Sequence, residues 1–296
     1  MPGSRPGLTC QCSSLGTENI MPDKLAALRH DLATANRILA NEGVVDAFGH
    51  ISVRHPDDPD RYLISRHRAA ELVEPGDVLE FTLDSQPVAP TNVRIYSELV
   101  IHGEVYKARP DVHSVCHHHA ISVLPFCISG VELVPVMHLG ATMGRKVPFW
   151  DSRDEFGDTR LLITRPEEGR SMAKALGEHW TLLLRRHGAT VAGRSLHECV
   201  FRSIYMCRNA ELQSRAMAMG TLGPLSKGEI EQCSSNSLTP RTLARALEYW
   251  ERRLAKAEAA TGGAAASAAS RRSAPAKRGK PAPRRAGGRG KAGRRR

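Results

Sequence analysis

The chain has 296 residues, 41% of them hydrophobic, with 42 Lys and Arg against 31 Asp and Glu for a formal net charge of +11. That length and apolar content suffice for a substantial core, while no apolar run approaches the roughly 18 residues of a membrane helix and MPGSRPGLTCQCSS lacks the apolar centre of a secretory signal, so a cytoplasmic protein is expected. The charge excess is local: twelve Lys and Arg and no acidic residue fall in 261–296, the remainder is nearly balanced, and the folded part shows no nucleic-acid module.

Residues 1–20 read as a loose leader. A helix is predicted from Pro22 and Asp23, with Leu25, Leu28, Leu32, Ala35 and Leu39 on one face and Gly43 as its stop. HISVR (50–54), RYLIS (61–65) and DVLEFTL (77–83) read as three strands in hairpin-like succession, separated by the turn clusters HPDDPD and EPGD. A helix over 97–108 ends before Arg109-Pro110, because proline disfavours helical geometry in its predecessor. VHSVCHHH (112–119) follows as a strand, then a helix near 120–127, a strand at VELVPV (131–136) and an irregular stretch over 137–158. RLLIT (160–164) and TLLLRR (181–186) are read as strands flanking a helix near 167–176, and helices are expected over 195–219 and 239–258. The pattern predicts one α/β domain over 21–260 with a mixed sheet covered by helices on both faces. The segment 261–296 is rich in Ala, Gly, Pro, Lys and Arg and is expected to be disordered, with weak, salt-dependent affinity for polyanions.

Seven scattered cysteines without CxxC spacing argue against both a disulfide framework and a structural zinc knuckle. The histidines are more informative. Alternation along a strand puts His117 and His119 on one side and His118 on the other, so the first pair can share a metal ion or simply pack together. Catalytic metal sites want three protein ligands and an open position, and His187, at the exit of an apolar strand with Gly188 to turn the backbone, offers the third. His102, His113 and His179 are expected to be surface or satisfied core residues.

Three ordered segments, GHISVR (49–54), YSELVIHGEVYKARPDVHSVCHHHA (96–120) and LLLRRHGATVAG (182–193), resemble the class II aldolase/adducin head family over about 22–220. The resemblance implies a three-layer α/β/α domain with a largely antiparallel sheet, assembled as a homotetramer. It also implies a divalent metal on His117, His119 and His187, with zinc first and Mn, Co or Fe accepted by the same donors, and Glu98 as acid/base. ISRHRAAEL lacks the glycine-bearing phosphate turn of the sugar-phosphate aldolases, and His50 stands where that family has asparagine. With PVMHLGATMG and WDSRDEFGDTRLLIT, these departures are similar to the decarboxylase branch, which acts on dihydroxyphthalates and carboxylated muconic semialdehydes. The expected activity is therefore decarboxylation of an aromatic-derived acid through a metal-stabilised enolate. His50, Ser65, Arg66, His67 and His138 are the substrate-binding candidates, with Arg66 and His67 holding the carboxylate and Arg68 read as a solvated charge. An aldolase or epimerase acting on a hydroxy-carbonyl compound, and a non-catalytic adducin-like assembly domain, are the competing readings.

Overall fold

In the computed structural model the backbone is described over residues 24–273 and side chains over 24–260, so the leader and 274–296 lie outside the described residues. The chain divides into a unit ending at Leu254 and a second beginning at Ala255. Among the described residues no helix is long and apolar enough to cross a membrane.

The first unit is built on a seven-stranded sheet of order β3-β2-β1-β4-β7-β6-β5. Its strands are β1 (His50–Arg54), β2 (Arg61–Ser65), β3 (Val78–Thr82), β4 (Ser114–His118), β5 (Phe149–Trp150), β6 (Thr181–Leu184) and β7 (Gly188–Gly193). Every pairing is antiparallel except β5 with β6, which gives the expected mixed, largely antiparallel sheet. The period of two sorts side chains into two cores. Ile51, Val53, Leu63, Cys116, Ala189 and Val191 join one cluster with helices α1 (Lys24–Asn41) and α6 (Leu196–Met219), while Tyr62, Ile64, Val115, Leu182, Leu184 and Ala192 join the other. Helices α2 (Leu99–Ala108) and α5 (Pro166–Leu176) pack in that second cluster, completing the three layers.

Two predicted strands are not strands. VELVPV is extended, but its backbone is bonded by side chains of α6: Val134 N–H donates to Gln213 Oε1 at 2.9 Å and Val136 N–H to Asn209 Oδ1 at 2.9 Å. The same amides donate back to the carbonyls of Glu132 and Val134 at 2.7 and 2.8 Å. RLLIT is irregular because Leu161 bends into the left-handed region, at φ 64°. Conversely, GATVAG forms β7, the irregular stretch contains β5, and helix α7 (Lys227–Ser237) carries a capping box on Ser226 and Glu229. Two short helices, α3 (Leu124–Ser129) and α4 (Arg153–Phe156), punctuate the connections, and the last helix, α8 (Pro240–Ser273), continues past residue 260.

Candidate active site

Strand β4 lies at the centre of the sheet, with His117 opposite His50 of β1 on one side and Thr190 of β7 on the other. On β1 the polar residues His50, Ser52 and Arg54 alternate with Ile51 and Val53, and all five are buried. The polar stripe faces α2, so Glu98 at the helix start, His102 one turn on and Tyr106 a further turn on border the same sheet surface. Arg54 is structural: its guanidinium donates to the carbonyls of Val112, Tyr106 and Arg109 at 3.0, 2.8 and 3.1 Å, tying β1 to the junction of α2 and β4.

His187 sits in the three-residue loop between β6 and β7. Arg186, with φ 53°, absorbs the turn expected of Gly188, and its N–H donates to the Cys127 carbonyl at 2.9 Å. Gly188 instead supplies space, since a Cβ there would lie 2.2 Å from the His118 carbonyl oxygen.

These elements bring Glu98, His117, His119 and His187 together, with one donor atom from each lying within 4.8 Å of all the others. His117 Nε2 is 3.0 Å from His119 Nε2 and 3.9 Å from Glu98 Oε2, and His187 Nε2 is 3.6 Å from Glu98 Oε1. Donors held about 2.1 Å from one tetrahedral ion are about 3.4 Å apart, which these spacings bracket. The protonation pattern also fits a metal. The Nδ1 of His117 donates to the Ala189 carbonyl at 3.1 Å, so its Nε2 carries a lone pair. Both ring nitrogens of His187 are buried without a protein partner, and a cation on its lone-pair nitrogen would offset about 1–3 kcal/mol of that cost. Burial, then the neighbouring rings, holds His117 well below the usual imidazole range, and burial followed by His119 takes His187 down to about 4. These imidazoles are thus neutral at physiological pH and able to bind a cation.

Glu98 is pushed the other way. Burial raises its carboxyl to about 7, against the opposing N–H of Ile163, which donates to Oε1 at 2.9 Å. The bend at Leu161 that breaks the predicted strand delivers this N–H.

Of the substrate candidates, His50 is buried beside the cluster, with its ring 5.4 Å from that of His117. The Tyr96 ring packs at a tilt against His50 and His67, with centroids 4.5 and 5.5 Å away, and its hydroxyl is 3.1 Å from Ser65 Oγ, so His50, Ser65 and His67 are linked through one tyrosine. Arg66 has a resident carboxylate: its Nε donates to Asp77 Oδ1 at 2.6 Å, and Arg68 Nη1 donates to Oδ2 at 2.6 Å. Arg68 is therefore paired rather than simply solvated, while the terminal nitrogens of Arg66 make no hydrogen bond among the described residues. His138 is exposed and stands outside the cluster. Trp150 donates through Nε1 to Ser171 Oγ at 2.9 Å, Asp151 pairs with Arg185 at 3.0 Å, and the Arg165 guanidinium lies over the Phe156 ring.

Sequence reasoning missed His102, Tyr96, Asp77 and the Ile163 N–H. The signal for His102 was present: three polar residues at alternate positions of a buried strand require polar partners, and α2 offers few.

Residues 30–214 match the Class II Aldolase and Adducin N-terminal domain family. Decarboxylase tropJ of Talaromyces stipitatus is 34% identical over 250 residues, spanning 76% of this chain and 91% of that protein. A 3,4-dihydroxyphthalate decarboxylase of Terrabacter is 30% identical over 66% of this chain and 83% of its own length. In fold, the chain superposes on an aldolase II superfamily protein from Pseudomonas syringae with a TM-score of 0.67, at 20% identity over 81% of this chain and 96% of the other. The matching family profile, the fold and the extent of these likenesses together establish that the chain belongs to the class II aldolase and adducin N-terminal domain family.

Proposed function

We propose that the protein is a metal-dependent decarboxylase of an aromatic-derived carboxylic acid. The observation that carries this reading is the convergence of three neutral imidazoles on a buried carboxyl raised to about 7, in a chain 34% identical to a decarboxylase. His117, His119 and His187 would hold the ion, zinc foremost. When bound, such an ion supplies Lewis-acid charge for the oxygen that becomes negative as the carbon–carbon bond breaks.

The protein's own residues do the rest. Glu98, anchored through Oε1 to the Ile163 N–H, keeps Oε2 available to carry a proton. It delivers that proton to the carbon that loses carbon dioxide and recovers one from water, so that a carboxylate and a proton become a C–H bond and carbon dioxide. Arg66, aligned by Asp77, offers its outer nitrogens to the substrate carboxylate, and His50, Ser65 and His67 border the same space through Tyr96. A homotetramer belongs to the proposal: Phe48 and Ile121, each two residues from a site histidine, are 65% and 80% exposed, an apolar rim suited to a neighbouring subunit.

The test is metal content together with carbon dioxide release from dihydroxyphthalates and carboxylated muconic semialdehydes, with His119→Ala in parallel. One ion per chain and turnover, both lost in the variant, support the reading. An aldehyde released in place of carbon dioxide points to aldol cleavage, and a protein that binds no metal refutes the proposal.

A further inference from the structure

The polar stripe of β1 continues as a hydrogen-bonded wire that ends beside the cluster. Tyr106 hydroxyl is 2.7 Å from Ser52 Oγ, Ser52 Oγ is 2.6 Å from His102 Nδ1, and His102 Nε2 is 2.7 Å from His50 Nδ1. All four side chains are buried.

The direction of the wire follows from where each hydrogen can go. The Tyr106 hydroxyl has no other partner among the described residues, and burial raises it well above the usual phenol range, so it keeps its proton and donates to Ser52. Ser52 then chooses between His102 Nδ1 at 2.6 Å and the Val115 carbonyl at 3.5 Å, and only the first lies in the normal hydroxyl range. His102 Nδ1 is therefore an acceptor. A neutral imidazole carries one N–H, which for His102 must sit on Nε2 and point at His50 Nδ1. The same rule places the His50 hydrogen on Nε2, at the opposite edge of the ring, where it meets no acceptor among the described residues.

We infer that His102 is a positioning residue that fixes His50 as an Nε2–H donor beside the metal cluster, reserved for an anionic or carbonyl oxygen of the bound acid. His50 is thereby unsuited to act as a general base. The tautomer stands on the hydrogen-bond geometry alone; its use toward substrate rests on the decarboxylase reading.

The experiment is long-range nitrogen–proton correlation NMR on the full-length, zinc-loaded protein labelled with nitrogen-15 at histidine, assigned with H50Q and H102Q. Pyrrole-type Nε2 and pyridine-type Nδ1 on both His50 and His102 are expected, and a pyrrole-type Nδ1 on His50 overturns the inference. H102Q, which keeps an amide donor facing His50, should hold the His50 tautomer. Ser52→Ala releases His102, should mix the two His50 tautomers and should lower kcat roughly tenfold at unchanged zinc content. A Ser52→Ala protein with the wild-type His50 spectrum and kcat also overturns it. If no form of the protein releases carbon dioxide, the decarboxylase reading fails, and the wild-type spectrum alone then upholds or overturns the wire.

Discussion

Gly188 and His118 approach so closely across the β4–β7 ladder that a Cβ on Gly188 would lie 2.2 Å from the His118 carbonyl oxygen and 2.9 Å from His119 Cδ2. Neither neighbour can yield without moving the strand that carries His117 and runs into His119. Gly188→Ala should therefore cost about 1–3 kcal/mol and reduce bound metal below one ion per chain. Gly223→Ala, where nothing lies within 4 Å of the added atom, serves as the control. Chemical denaturation and elemental analysis decide it; wild-type metal content in Gly188→Ala would show that the loop tolerates the shift.

Glu98 is raised to about 7 in the folded protein against 4.5 for the free side chain. Between those values the folded state keeps a proton that the unfolded chain has released. This contribution to stability is complete below 4.5 and lost as pH rises through 7. Metal-free Glu98→Gln should thus be more stable than metal-free wild type above pH 7, by roughly 1–3 kcal/mol, with the difference vanishing near 4.5. The same variant should retain the metal of the proposed site and lose ~10²–10⁴-fold in kcat.

Buried histidines give the opposite slope. Burial takes His102 down to about 3, and burial with the neighbouring His119 does the same to His118. Below the unfolded value of 6.5 the unfolded chain takes up protons that these rings refuse. Their contribution is therefore full above 6.5 and is lost as pH falls toward 3, at about 1.4 kcal/mol per pH unit for each ring. Urea midpoints at pH 7 and pH 5 should show this drop, and H102Q should show a shallower one.

Asp77 aligns Arg66 and Arg68, and its carboxyl is held below the usual range because the Glu74 N–H and the two guanidiniums outweigh the effect of burial. Asp77→Asn frees both arginines to swing. Substrate KM should rise roughly tenfold while metal content stays at the wild-type level. Steady-state kinetics beside metal analysis makes the check: an unchanged KM would remove Arg66 from the carboxylate site.

The layered fold was legible because β1 carries clear two-residue alternation, β2 and β4 are short apolar-centred runs bounded by turn clusters or proline, and the long helices carry clear caps or apolar faces. The cluster was legible for a local reason: His117 and His119 are two apart on one strand, and His187 marks the end of another. What stayed hidden depends on long-range partners. Nothing near Asp77 in the sequence announces that it faces Arg66, and a positive φ at Leu161 or Arg186 has no compositional mark when the residue is neither glycine nor asparagine. VELVPV misled because an apolar, β-branched run reports extended backbone faithfully but says nothing of what will bond to it.

That last arrangement works as a ruler. Asn209 and Gln213 are one helical turn apart, about 6 Å along α6, and they grip Val134 and Val136, two residues or about 6.6 Å apart in extended chain. The near-equality of the two repeats lets one helix hold alternate residues of the segment in register. Gly140, where an added Cβ would fall 2.1 Å from Asn209 Oδ1, seats the same chain against the same helix a few residues on. Between 132 and 140 the chain can therefore neither gain nor lose a residue without slipping off its gauge, and length variation in this protein belongs in other connections.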